Sequence, residues 1–234
     1  MAQRHRVVSP KAWIAARRKL LAKEKKFTRL RDELSQERRD LPWQAVEKEY
    51  VFEGRDGRQT LADLFDSRSQ LVIYHFMFGP GWEAGCPHCS RWADSFDRPI
   101  VHLNQRDVTM VAVSRAPYAK LAAYHRRMGW SFKWLSSFGT DFNFDFNVSF
   151  TPEEMRRKKA FYNFGLQNPE ADEREGVSVF VKDSRGKVFR TYSTFARGID
   201  MLNVDYQLLD LVPKGRDERG RGPFWVRRHD EYGK

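Results

Sequence analysis

Leu71 to Phe96 reads LVIYHFMFGPGWEAGCPHCSRWADSF, and the fold turns on how this stretch is divided. From Leu71 to Phe78 every residue except His75 is apolar or aromatic, and Gly79 closes the run. That pattern predicts a strand buried on both faces. A Gly/Pro-rich loop follows. Cys86-Pro87-His88-Cys89 then opens a segment with Trp92 and Phe96 four apart, the spacing of one helix face. Strand, loop, CxxC and helix is the order that a dithiol redox site needs.

Only a thiolate attacks a disulfide, so the position of each cysteine matters. A cysteine at a helix N-terminus feels the positive end of the helix dipole and can receive backbone N–H groups, which lowers its pKa below the free value of about 8.5. Cys86 occupies that place and Cys89 lies one turn deeper, so Cys86 is expected to be the nucleophile and Cys89 the resolving thiol. Pro87 suits the first turn because it has no N–H to leave unpaired. His88, when protonated, would stabilise the Cys86 thiolate further and make the disulfide more oxidising.

The same thiols admit other uses. Cys86 and Cys89 could ligate a metal or haem with His75 or His88, although a structural zinc site needs two further ligands and the chain has no second CxxC and no HxxxH. Both could also be inert core cysteines. Dithiol chemistry itself requires no cofactor. Three more residues are candidates for support: His75 near the C-terminal end of the strand, where open α/β sheets place ligands; Glu83, three residues before Cys86, as a base; and Arg115, after the next strand, as a charge beside the thiolate. A hydrogen-bonded core histidine, a solvated loop carboxylate and a surface salt bridge are the respective structural alternatives.

Outward from this stretch, 234 residues with 41% hydrophobic content suffice for one sizeable core. The formal charge of +11 suggests nucleic acid until its distribution is read. Residues 1–40 hold 13 Lys/Arg against 5 Asp/Glu, so most of the excess belongs to one terminal arm, a pattern of solvated basic helices more than of nucleic-acid binding. Arg17, Arg18, Lys19, Lys23, Lys25 and Lys26 interrupt every apolar run near the N-terminus, so neither a secretory signal nor a membrane anchor is expected and the cytoplasm is the expected compartment. A catalytic or sensing dithiol fits that compartment better than a structural disulfide.

Three regions are expected: an arm over 1–40, a domain over 41–212 and a tail over 213–234. Ser9-Pro10 caps a helix that could run to about Arg38, with Trp13, Leu20, Phe27 and Leu34 seven apart on one stripe. The stripe could pack on the body or pair with a second copy as a homodimer seam. Residues 49–65 read as a strand, an Arg55-Asp56-Gly57 turn, a return strand and one helical turn. Val108 to Ser114 is a second buried strand, and Pro117 to Met128 an amphipathic helix ended by Gly129. Such spacing implies βαβ crossovers, hence α/β architecture with a central mixed sheet flanked by helices.

Residues 130–164 hold ten Phe or Trp, expected mainly to fill the core and alternatively to wall a pocket over the cysteines. Phe142, Phe144, Phe146, Val148 and Phe150 alternate with polar residues, the period of a half-buried strand or extended edge. Val177–Val181 and Lys187–Tyr192 around Asp183-Ser184-Arg185-Gly186 form a hairpin. A last helix is expected from about Gly198 to Leu211, with Met201, Leu202, Leu208, Leu209 and Leu211 toward the sheet. Phe224-Trp225-Val226 would pin the tail to the body.

This order of elements resembles the thioredoxin-like fold in its peroxiredoxin-like variant. Leu41 to Tyr232, through phrases such as YHFMFGPGWEAGCPHC, MGWSFKWLSSFGTDFN and YSTFARGIDMLN, and the arm as well, resemble the bacterial family catalogued as domain of unknown function 899. The resemblance implies thiol–disulfide oxidoreductase or thiol peroxidase chemistry, with a disulfide or peroxide substrate, protein or small molecule, and a cellular thiol as reductant. Two departures accompany it. The PxxxTxxC or PxxxSxxC phrase of peroxiredoxins is missing, since Gly79 and Glu83 stand at its key places. The cis-proline that thioredoxins hold opposite their cysteines is replaced by about Gly176-Val177. Pro87-His88 is the dipeptide of the periplasmic DsbA-type enzymes, which implies a low Cys86 pKa and a strong oxidant. Arg197 and Asp200 lie in a family phrase and suggest no role beyond an ion pair.

Overall fold

The computed structural model describes residues 5–233; the first four residues of the expected arm and Lys234 of the expected tail lie outside the described residues. The chain forms two compact units, one up to Pro42 and one from Trp43 onward. The first is a single helix, α1 (Pro10–Arg39), started by the Ser9 hydroxyl, which accepts from the Ala12 N–H at 3.3 Å, and by Pro10 in the first turn. None of its residues is buried, and Trp13, Phe27 and Leu30 of the apolar stripe are exposed.

The second unit runs β1 (Gln44–Ala45), β2 (Val51–Gly54), β3 (Gly57–Thr60), β4 (Gln70–His75), α2 (Pro87–Phe96), α3 (Ile100–Asn104), β5 (Val108–Ser114), α4 (Tyr118–Met128), β6 (Lys133–Ser136), α5 (Phe142–Asp145), α6 (Pro152–Arg157), β7 (Ala160–Tyr162), β8 (Gly165–Gln167), β9 (Gly176–Lys182), β10 (Val188–Phe195) and α7 (Val204–Leu209). One sheet carries the order β1-β10-β9-β4-β5-β6-β2-β3, and β7 pairs with β8 apart from it. β4, β5 and β6 are parallel neighbours, joined through α2 and α4 as the crossover rule requires, whereas β9 pairs antiparallel with β4 and with β10. A central strand leading into a CxxC helix, with parallel strands on one side and an antiparallel hairpin on the other, is the thioredoxin-like fold. The β2–β3 hairpin beside β6 gives its peroxiredoxin-like variant.

β4 is central because its side chains are apolar on both faces. Leu71 and Ile73 enter one cluster with Val111, Val113, Phe142, Phe146 and Phe180; Tyr74 and Phe76 enter another with Ala93, Leu121, Tyr124, Trp130, Trp134 and Cys89. At about 25 cal/mol per Å² of apolar area removed from water, these aromatic layers dominate the folding energy.

Two expectations fail locally. Phe142 to Phe150 is not a strand: Phe142–Asp145 is a turn of helix, and only Ser149 makes an isolated bridge, to Glu173. Phe142 and Phe146 are four apart as well as on the same parity, and both pack in the core, while Asn143 is buried too, with its Oδ1 accepting from Ser137 Oγ at 2.7 Å. The last helix is also shorter than expected. Ala196–Leu202 is a 3₁₀ turn and α7 is separate, with Ile199 and Tyr206 buried and Met201, Leu202, Leu208 and Leu211 exposed. Among the described residues no helix is long and apolar enough to cross a membrane.

Candidate active site

β4 ends at His75, and the chain continues through Phe76, Met77 and Phe78 into the loop that returns at Cys86. The Cys86 N–H donates to the Met77 carbonyl at 3.1 Å, and the Met77 N–H points at Cys89 Sγ at 3.4 Å, so both cysteines are tied to the strand end. Gly85 is needed for this approach: a Cβ there would lie 2.7 Å from Phe76 Cε1 and 3.0 Å from Tyr124 Cε1. Its carbonyl accepts from Arg228 Nη2 at 2.8 Å, which draws the C-terminal tail onto the loop. Of the expected anchor in the tail, Val226 is buried and Phe224 is exposed.

Cys86 is the N-cap of α2, with Pro87 in the first turn. Ser90 closes that turn by donating its N–H and its hydroxyl to the Cys86 carbonyl, both at 2.9 Å. The two cysteines are thiols with unequal surroundings, Cys86 partly exposed and Cys89 buried. A hydrogen bond from the Cys89 thiol lowers the Cys86 pKa; burial opposes it, and the N–H groups of Cys89 and His88 add to the lowering. Burial pushes Cys89 well above the ordinary thiol range, followed by its sharing of that bond with Cys86. Tyr74 offsets a part of that rise. Tyr74 is fully buried on β4, and Trp92 stacks on it at 5.3 Å.

Each residue singled out from the sequence has a definite place. Cys86, Pro87, His88 and Cys89 come together as expected. His88 contributes its backbone N–H to Cys86, and partial burial first and the Arg91 charge second lower the pKa of its imidazole, which works against the protonated form that would assist the thiolate. His75 lies on the other face of β4, against Phe142 and Phe146, with Nε2 2.9 Å from Ser178 Oγ. It therefore cannot complete a metal or haem site with Cys86 and Cys89, and among the described residues no three His, Cys, Asp or Glu side chains are grouped to hold a metal ion. Burial holds the His75 pKa near 3.

Glu83 is exposed on the loop and does not line the space beside the thiols. Arg115 donates from Nε to Glu173 Oε1 at 2.6 Å and covers the Phe144 ring, so it serves a buried ion pair beside Gly79, neither a surface bridge nor a thiolate partner. Arg197 does pair with Asp200, at 3.4 Å. Of the Phe and Trp of 130–164, Trp130, Phe132, Trp134, Phe142, Phe146 and Phe150 are buried in the core and Phe138, Phe161 and Phe164 are exposed; none lines the cleft over the cysteines.

That cleft, about 1040 Å³, is lined by Tyr74, Cys86 and Cys89 and by Arg91, Asn203 and Tyr206, together with residues from 170–175 and 216–223. Tyr74, Arg91, Glu175 and Asn203 were not recognised from sequence. Only Tyr74 carried a local signal, a phenol in a buried strand that needs a partner for its hydroxyl.

The family model described as bacterial protein of unknown function (DUF899) matches residues 2–232. The chain belongs to this family. No curated protein matches the sequence. Among solved structures, the chain is similar to the peroxidoxin BcpB from Mycobacterium tuberculosis, at 16% identity over 69% of this chain and 93% of that one, with a TM-score of 0.46. It is also similar to peroxiredoxin Q from Xanthomonas campestris, at 13% identity over 69% and 96% with a TM-score of 0.43. A mitochondrial 2-Cys peroxiredoxin from Plasmodium falciparum matches at 12% identity over 72% and 93%, with a TM-score of 0.42.

Proposed function

We propose that this family member is a thiol–disulfide oxidoreductase that cycles Cys86 and Cys89 between dithiol and disulfide. The observation that carries the reading is the asymmetry of the pair: a partly exposed thiol at a helix N-terminus, lowered by donors from Cys89 and His88, above a buried thiol raised by its surroundings. Such a pair divides the labour of exchange. The Cys86 thiolate attacks a substrate disulfide, forms a mixed disulfide and expels one thiolate. Cys89 then gives up its proton and attacks Cys86 Sγ, which closes the protein disulfide and releases the second thiol. One substrate disulfide is reduced to two thiols as two protein thiols are oxidised, and a cellular thiol reductant returns the protein to its starting state.

The test is equilibration of the purified protein with thiol–disulfide buffers, read by alkylation and mass spectrometry. A single two-electron midpoint between roughly −270 and −120 mV is expected. Cys86→Ser should abolish exchange, and Cys89→Ser should accumulate the mixed disulfide on Cys86. Thiols that form no disulfide at any poise, or exchange that survives Cys86→Ser, would defeat the proposal.

A further inference from the structure

The tail meets the cysteine loop through Arg228. This side chain is only 18% exposed, and its Nη2 and Nε donate to the Gly85 carbonyl at 2.8 and 3.2 Å. At the other end of the same peptide group, the Cys86 N–H donates to the Met77 carbonyl at 3.1 Å. A peptide group is planar, so bonds at both of its ends fix the plane that precedes the Cys86 Cα. The plane that follows is held too, because the Cys86 carbonyl accepts from the N–H and the hydroxyl of Ser90. With both planes held, the backbone at Cys86 is set at φ −55° and ψ 131°, and with it the direction of the Cα–Cβ bond. Only χ1 then stands between the backbone and the position of the sulfur.

Arg228 takes part in holding both planes. Its Nε also donates to the Tyr124 hydroxyl at 2.8 Å, and that hydroxyl lies 2.8 Å from Ser90 Oγ. A guanidinium can only donate, and the Ser90 hydroxyl gives its proton to the Cys86 carbonyl. The order of donors is therefore Arg228 to Tyr124, Tyr124 to Ser90 and Ser90 to Cys86. Arg228 is itself aimed by its neighbours: Nη1 donates to Glu231 at 2.9 Å, and Glu231 also accepts from Arg127 of α4 at 2.9 Å. His229 Nδ1 lies 2.8 Å from Asp94 Oδ1 on α2, which ties the same piece of tail to the cysteine helix. A different cation serves the start of the loop, where Lys120 of α4 donates to the Pro80 and Trp82 carbonyls, both at 3.1 Å.

We propose that Arg228 is a positioning residue for Cys86: it fixes the two peptide planes around the nucleophile and so holds the sulfur at the start of α2, beside the cleft. The proposal rests on the exchange chemistry above, in which Cys86 attacks, and adds the C-terminal tail to that step. Arg228 makes no hydrogen bond to either sulfur among the described residues, so it acts through the backbone. Lys120, at the far end of the loop, has no part in it.

The test is alkylation of the reduced protein by iodoacetamide across a range of pH, with the label on Cys86 located by tandem mass spectrometry. In Arg228→Met the pH midpoint of Cys86 labelling is expected to rise toward the free thiol value of about 8.5, and the rate at pH 7 to fall about 10-fold, the effect of one lost charge-assisted hydrogen bond. Arg228→Lys offers one donor point in place of the fork and should recover part of both. Tyr124→Phe keeps the ring and breaks the relay to Ser90, so a smaller rise and a loss of about 3-fold are expected. Lys120→Met removes two loop bonds and should lower the melting temperature, yet change the labelling rate less than about 2-fold. A midpoint unmoved in Arg228→Met, or slowing as large in Lys120→Met, would overturn the proposal. If Arg228→Met does not fold, Tyr124→Phe decides, and an unmoved midpoint there overturns it equally. Alkylation needs no disulfide substrate, so the two readings separate: a midpoint raised by Arg228→Met in a protein that exchanges no disulfide would defeat the exchange reading and leave the positioning in place.

Discussion

Tyr74 and His75 are consecutive on β4 and point to opposite faces of one sheet, and each carries a polar group into a buried aromatic layer. Tyr74 meets a sulfur at the end of an open cleft. His75 is buried against Phe142 and Phe146, and Ser178, its partner through Nε2, is bonded onward to Ser193 at 3.0 Å. The difference teaches that burial of a titratable group does not mark a site by itself. What separates chemistry from packing is whether its partner can reach a ligand. On the thiol face the chain leaves 1040 Å³ of space, whereas on the histidine face Phe142, Phe146 and Phe180 fill the position.

If His75 belongs to packing alone, its largest effect is on stability at low pH. Burial lowers its pKa from about 6.5 to about 3, so between those values the unfolded chain binds the additional proton. The stability that neutral His75 contributes is whole above pH 6.5 and is lost as pH falls through about 3, by up to about 5 kcal/mol on 1.36 kcal/mol per unit. Urea titrations from pH 7 to 4 should show this slope, and His75→Phe should flatten it without altering exchange by Cys86. A variant that slows exchange as much as it flattens the slope would put His75 back among the site residues.

Glu173 supplies a smaller effect of opposite sign. Burial lifts its carboxyl to about 7 against the pull of Arg115 and Ser149, so the folded protein binds the additional proton between about 4.5 and 7. That contribution is whole below pH 4.5 and is lost as pH rises through 7, at most about 3 kcal/mol. In the wild type the two slopes oppose each other over about pH 4.5–6.5. Glu173→Gln should expose the His75 slope and make stability rise more steeply with pH. A stability profile unchanged by this substitution would mean that Glu173 is ionised throughout and held by Arg115.

The strand, the loop and the cysteine helix were legible because each depends on neighbours within a few positions: an apolar run, a glycine, a proline after Cys86. The 142–150 segment was not, because Phe142 and Phe146 satisfy the strand period and the helix spacing together, and only the core decides between them. The C-terminal segment misled for a related reason. Its leucines suggested one long apolar face, yet of its apolar residues only Ile199 and Tyr206 are buried and the turn at Asn203 breaks the helix. Of the site, Cys86 and Cys89 could be read directly, but Arg91 and Asn203 line one cleft from 112 positions apart in the chain and share no local pattern. The lowering of the His88 pKa was equally out of reach, since partial burial and then Arg91 cause it.

Tyr74 gives the finest test of the contrast. Burial keeps the pKa of Cys89 high and Tyr74 works against it, at the thiol that must ionise in the second half of exchange. A hydrogen bond to a charged acceptor is worth about 1.5–3 kcal/mol, part of which the Met77 N–H retains after the phenol is gone. Tyr74→Phe keeps the ring, its stacking on Trp92 and its fit in the layer, so the melting temperature should move by only a few degrees, as for the loss of about 1 kcal/mol in a chain of this size. The attack by Cys86 should change less than about 2-fold, because the donors to its sulfur come from Cys89 and His88. Closure by Cys89 should slow about 10-fold, or 1.4 kcal/mol. Rapid quenching with acid resolves the two steps through the lifetime of the mixed disulfide on Cys86. A longer lifetime with an unchanged first step separates Tyr74 from His75 as site from packing; equal slowing of both steps would show that Tyr74 only supports the helix, and the two neighbours on β4 would then differ in surroundings but not in role.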